Sequence, residues 1–152
     1  LHTETKMEDL KQIFSMDSLV SVLNSEKDAV LFSNENDEYI VYSREGEKLL
    51  EISPQIQSDS LSRLRSIQIF DVNYTTEKGV SLKSTFKDIN ENYLVNKVET
   101  TLTSATLFID ELNATIAIDK KELGLNSFSR EQISIDQIPD IAKIKYFTIW
   151  FN

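Results

Sequence analysis

Cysteine is absent from the 152 residues, which removes thiol nucleophiles, disulfide frameworks and thiolate metal sites together. Histidine occurs once, at position 2. A Ser/His/Asp triad, or a zinc site with two or more histidines, is therefore excluded unless a partner supplies the rest. His2 lies ahead of the first helical signal, where a frayed terminus is the preferred reading over a functional imidazole. The three glycines, at 46, 79 and 124, are too scattered for a phosphate-cradling loop. No apolar run approaches the roughly 18–20 residues that span a bilayer, and the longest, Tyr146–Phe151, is strand-sized.

Positive charge is also scarce. Sixteen Lys and Arg against 25 Asp and Glu leave a net charge of −9, which disfavours nucleic acid and anionic membrane surfaces, since phosphate contacts need cations. The pairs Arg63/Arg65 and Lys143/Lys145 are each two apart, which on a strand sets both members on one face. A solvated face or a protected edge accounts for them. Apolar residues make up 40% and charged residues 27%, the balance of an ordinary globular domain. Absence of cysteine leaves the compartment open. The chain starts at Leu1 rather than Met, so a secretory signal or lipidated cysteine is expected upstream if the protein carries one.

Apolar residues at 7, 10, 13, 14, 16, 19, 20 and 23 predict an amphipathic helix over Met7–Leu23, broken near Asp17-Ser18 and stopped by Asn24. From there the period shortens. Ala29–Ser33, Glu38–Ser43 and Glu47–Ile52 read as a meander with turns at Asn34–Asp37 and Arg44–Gly46. A loop follows from Ser53 to Ser60, then a strand over Leu64–Val72 with a bulge near Ile69-Phe70.

Tyr74-Thr-Thr-Glu-Lys-Gly79-Val-Ser-Leu-Lys-Ser-Thr85-Phe-Lys-Asp88-Ile-Asn-Glu-Asn-Tyr93 holds a polar glycine turn and a capped helix of about two turns. Thr85 and Asp88 form its capping box, and Phe86, Ile89 and Tyr93 its apolar stripe. So short a helix does not persist alone and must rest on a sheet. Strands follow at Val95–Leu102, Ala105–Asp110 and Ala114–Asp119, the last two forming the clearest hairpin, with Ala105, Leu107 and Ile109 matched by Ala114, Ile116 and Ile118. Lys120–Glu131 is a polar connection, Ile133–Ile135 a short strand, Ile138–Asp140 a turn, and Lys143–Phe151 a final strand with apolar residues on both faces.

The predicted class is α+β: a curved antiparallel sheet carrying an N-terminal helix and a short middle helix, in a single domain over 1–152. A helix followed by strands recurs at 7–52 and 85–119, but side-chain identity between them is poor, so a tandem repeat with two similar halves, about 7–72 and 80–152, is the alternative to a plain single domain.

The stretch from Thr76 through Lys78-Gly79-Val80, Ser84-Thr85, Asp88-Ile89 and Tyr93 resembles small exported domains of Gram-negative bacteria, many of them lipoproteins. The family named by the resemblance is the envelope-stress-regulated lipoproteins of enterobacteria; looser relatives are small outer-membrane assembly lipoproteins and β-lactamase-inhibitor-like domains. It spans about 20 residues, continuing into the Ile138-Pro139-Asp140 turn and the last strand. Lys83 and Leu94 stand where those families often have glycine. The resemblance implies an α+β fold, export to the periplasm or a lipid anchor, and a binding or assembly role with a protein or envelope component. It carries over no catalytic residue.

Candidate chemistry rests on carboxylates. Asp110 and Asp119 flank the best hairpin with Glu111 beside the first, and Asp136 and Asp140 bracket the Ile-Pro turn. Glycosidases need two carboxyls about 5–10 Å apart. With 25 acids, chance pairs are unavoidable, and solvated turn residues are the preferred reading. Asn34-Glu-Asn-Asp37-Glu38 offers oxygens but lacks the spacing and glycine of a calcium loop. Tyr39 and Tyr42 fall on opposite strand faces, whereas Tyr146 and Trp150 share one; core packing is preferred to a stacking platform. No catalytic residue, cofactor or metal is assigned. The expected function is a non-catalytic binding or assembly module of the bacterial cell envelope, the alternative a small carboxylate-dependent hydrolase acting on a glycan.

Overall fold

A computed structural model describes residues 1–15, 18–22, 38–126 and 131–151, with residues 18–22 described by backbone alone. The chain divides into two compact units, Leu1–Ile69 with Trp150–Asn152, and Phe70–Ile149. Among the described residues the strand pairs within each unit are antiparallel and the helices are short, so the class is α+β.

In the first unit a 3₁₀ turn, Met7–Asp9, runs into helix α1, Leu10–Ile13. The Lys6 N–H donates to the Asp9 carboxylate at 3.0 Å, which closes the helix start. Met7 and Leu10 are the residues it buries. The long helix expected over Met7–Leu23 therefore stops early. Ser18–Val22 is instead strand β1, paired with β2 (Glu38–Tyr42) in the register Val20↔Ile40. Leu19, Val20 and Val22 suit either period, and β-branched residues pair well on a pleated surface. Strands β3 (Lys48–Pro54) and β4 (Leu64–Ile69) complete the meander. The expected strand at Ala29–Ser33, the Asn24 stop and the Asn34–Asp37 turn lie outside the described residues.

In the second unit helix α2, Phe86–Asn92, starts where expected: the Thr85 N–H donates to Asp88 Oδ2 at 2.7 Å. Phe86, Ile89 and Tyr93 are buried, as their stripe requires. Strands β5 (Lys97–Thr100), β6 (Ser104–Ile109), β7 (Ala114–Asp119) and β8 (Ile144–Trp150) follow. The hairpin register is Ala105↔Ile118, Leu107↔Ile116 and Ile109↔Ala114, and all six side chains are buried. Asn113 ends the turn in the left-handed region, φ 46°, a conformation asparagine tolerates well. Ile133–Ile135 is not a strand. The Ser134 N–H donates to the Gln137 side-chain oxygen at 2.8 Å and opens a 3₁₀ turn over Ile135–Gln137.

The two units share local geometry. Lys6 bridges Arg63, and Thr85 bridges Lys143. Met7 and Glu8 N–H groups donate to the Ser62 and Ser60 carbonyls; Phe86 and Lys87 donate in the same way to Ala142 and Asp140. The expected bulge near Ile69-Phe70 sits earlier. Ser53 faces Ser66 while Pro54 faces Leu64, leaving Arg65 as the extra residue. Lys145 is extra in the same manner between Tyr146, opposite Ala117, and Ile144, opposite Ile118. Each bulge reverses side-chain parity, so core residues recur at a spacing of three: Leu64 to Ile67, and Ile144 to Phe147. Apolar residues on both faces of the last strand thus have unequal burial, with Phe147 enclosed and Tyr146 exposed.

Candidate functional site

Within the second unit a cleft of about 390 Å³ opens between the Tyr74–Lys78 loop, Tyr93 at the end of α2, and Glu111-Leu112 in the β6–β7 turn. Its floor is set by local hydrogen bonds. The Thr76 N–H donates to the Val80 carbonyl at 2.9 Å, the Gly79 N–H donates to the Thr76 carbonyl at 2.9 Å, and the Val80 N–H donates to the Thr76 hydroxyl at 3.1 Å. Such a tight loop needs a residue with positive φ, supplied by Gly79 at 81°. Lys78 is thereby projected from a stiff turn.

The Lys78 ammonium meets three acceptors. It lies 2.6 Å from Glu111 Oε1, 2.9 Å from the Asn92 carbonyl at the end of α2, and 4.5 Å from the centroid of the Tyr93 ring. The carbonyl is one of the groups a helix end leaves without an intrahelical partner. Tyr74 packs its ring edge-on to Phe147, centroids 5.9 Å apart. Burial, and then the neighbouring Tyr93 phenol, push the Tyr74 hydroxyl above its ordinary value, so it stays a neutral hydrogen-bonding group. The cleft thus joins two phenols, the Thr75 hydroxyl, two exposed carboxylates (Glu77 and Glu111) and one ammonium.

The candidates named from sequence lie elsewhere, Glu111 excepted. Asp110 and Asp119 sit at opposite ends of the β6–β7 hairpin, roughly 17 Å apart at strand rise. Asp119 accepts the Lys121 N–H at 3.0 Å and the Lys145 ammonium at 2.9 Å. Those contacts, the backbone one foremost, hold its carboxyl below the usual aspartate range; the same pairing raises Lys145. Asp136 and Asp140 are exposed. Arg63 pairs with Glu4 at 2.6 Å. His2 is exposed in a terminal turn closed by Thr5. Tyr39 is buried and Tyr42 half-buried, whereas Tyr146 is exposed beneath the Lys145 ammonium. Among the described residues no three His, Asp or Glu side chains converge as a metal site would require, and no helix is long and apolar enough to cross a membrane. Sequence reasoning missed the meeting of Tyr74, Lys78, Tyr93 and Glu111. The available signal was two tyrosines at the two ends of one motif.

These elements define the class, an α+β protein of antiparallel strands with short helices and a polar, aromatic-lined cleft. Among solved structures the chain is similar to that of the uncharacterized protein YfeY from Escherichia coli, with a TM-score of 0.57 and 12% identity over 100% of this chain and 93% of that one. At that identity the likeness concerns the fold alone. No protein-family model matches the chain, and no curated protein sequence matches it.

Proposed function

We propose that the protein is a non-catalytic binding or assembly module of the bacterial cell envelope, and that the Tyr74–Tyr93 cleft is its recognition surface. The observation that carries this reading is the state of the cleft's charges. Glu77 and Glu111 are exposed, and Glu111 is engaged by Lys78. Solvated, paired charges beside aromatic rings are the composition of a polar recognition surface. The envelope assignment is supported by the resemblance of residues 76–93 to small exported lipoproteins.

The test is site-specific photo-cross-linking from Leu112 in living cells, with Glu45, in a turn of the other unit, as the control position. A discrete adduct from Leu112 alone, recovered in the envelope fraction, is the expected result. A cytosolic protein whose two positions give the same background overturns the reading.

A further inference from the structure

The three acceptors around Lys78 form a cation receptor whose components come from two separate places: a carboxylate from the β6–β7 turn, and both a carbonyl (Asn92) and an aromatic face (Tyr93) from the end of α2. A carboxylate, a helix-terminal carbonyl and a π-face all favour positive charge. The present occupant is weakly held, because both Lys78 and Glu111 side chains are about half exposed and water and salt screen their attraction. The cleft continues past this cation to Tyr74, Thr75 and Glu77, leaving room and acceptors beyond what Lys78 fills.

We propose that this cleft receives a lysine or arginine side chain from a partner peptide, and that Lys78 is an internal stand-in that the incoming cation displaces. The proposal rests on the reading of the protein as a binding module and names the chemistry of its partner. Displacement keeps the charge of the site constant: one cation leaves Glu111 and Asn92 for water as another arrives. A guanidinium fits best, since its plane stacks on Tyr93 while its N–H fork reaches the carboxylate. The net charge of −9 steers basic partners toward the protein.

The experiment is an amide and tyrosine-ring NMR titration of the whole chain and its Lys78→Met and Glu111→Gln variants. The probes are propylguanidinium, a hexapeptide alternating arginine and alanine, and the same peptide with glutamine for arginine. Removing an internal competitor raises apparent affinity by the reciprocal of the fraction of time the site stands open, so with an exposed ion pair of up to about 1 kcal/mol as the competitor, Lys78→Met should bind the arginine peptide about fivefold more tightly than the native chain. Shifts should centre on Asn92, Tyr93 and Glu111, weaken with salt, fall about tenfold in affinity in Glu111→Gln, and be weaker for propylguanidinium. Cleft shifts with equal affinity in native and Lys78→Met chains overturn the stand-in role while leaving the binding reading intact. Equal response to the glutamine peptide overturns the cation chemistry, and equal affinity for propylguanidinium overturns the peptide source. No cleft shift in any variant overturns the receptor, and the Leu112 cross-link then decides the broader reading independently.

Discussion

Arg65 and Lys145 are the same structural device in two different strands: each is the one extra residue of a β-bulge, exposed between buried neighbours in the first case and beside buried Ile144 in the second. The bulge lets residues three apart in sequence share one core face.

Deleting Lys145 should therefore be far milder than deleting Ala117 in the facing strand. Without Lys145, Ile144 and Phe147 are two apart and keep one face of a regular strand, at a cost of about 1 kcal/mol, whereas loss of Ala117 sets buried Ile116 and Ile118 adjacent and on opposite faces, at a cost of about 3 kcal/mol or more. Lys145→Ala loses an exposed ion pair and should cost under about 1 kcal/mol. Urea unfolding midpoints of the two deletions separate these outcomes, and equal midpoints would contradict the assigned register.

Asp119 carries a pH signature. Its carboxyl is held low by the Lys121 N–H and by Lys145, so its stabilising effect is present above the unfolded-state value and is lost as pH falls through the lower folded one. The raised Lys145 gives the complementary limit, with stability lost as pH rises through its folded value. Asp119→Asn should thus lower stability at neutral pH by less than about 1 kcal/mol, with the difference closing in acid. Thermal melts of both proteins across pH check the sign.

Asp9 and Asp88 hold the starts of equivalent helical segments by accepting the N–H of Lys6 and Thr85. Alanine at either position should cost about 1 kcal/mol, since each leaves a helix-start donor without its partner. Losses confined to Asp88→Ala would show that only α2 depends on its cap.

Gly79 stands at φ 81° with open space where a Cβ would project. Gly79→Ala should cost about 1 kcal/mol through backbone strain alone. It should also loosen Lys78 over Tyr93, visible as a change in the Tyr93 ring shifts without unfolding.

Lys120 is fully buried at the end of β7. Truncating a side chain enclosed this fully leaves a cavity, so Lys120→Ala should cost about 3 kcal/mol. Lys120→Met keeps the packing volume and should recover part of that loss in the same denaturation measurement.

Much of the architecture was legible because it is local. The α2 start follows from Thr85 and Asp88 three residues apart, and the β6–β7 hairpin from two alternating runs around a turn. Reading failed where two periods fit one segment. Leu19 and Val20 continue a helical spacing from Met7, yet partners on Glu38–Tyr42 draw them into a strand. The parity slip was visible in β4 but misplaced, because only pairing with Ser53 and Pro54 identifies Arg65 as the extra residue.

Composition alone removed cysteine chemistry and a histidine triad within this chain, and period and capping residues alone determined the α+β class, since each depends on neighbours a few positions apart. The cleft is of another kind. Tyr74, Lys78, Asn92, Tyr93 and Glu111 are brought together by a stiff glycine turn, a helix end and a hairpin turn from distant parts of the chain. Only packing sets such distances, because the energies that hold the three elements in place are contacts between them rather than preferences within any one.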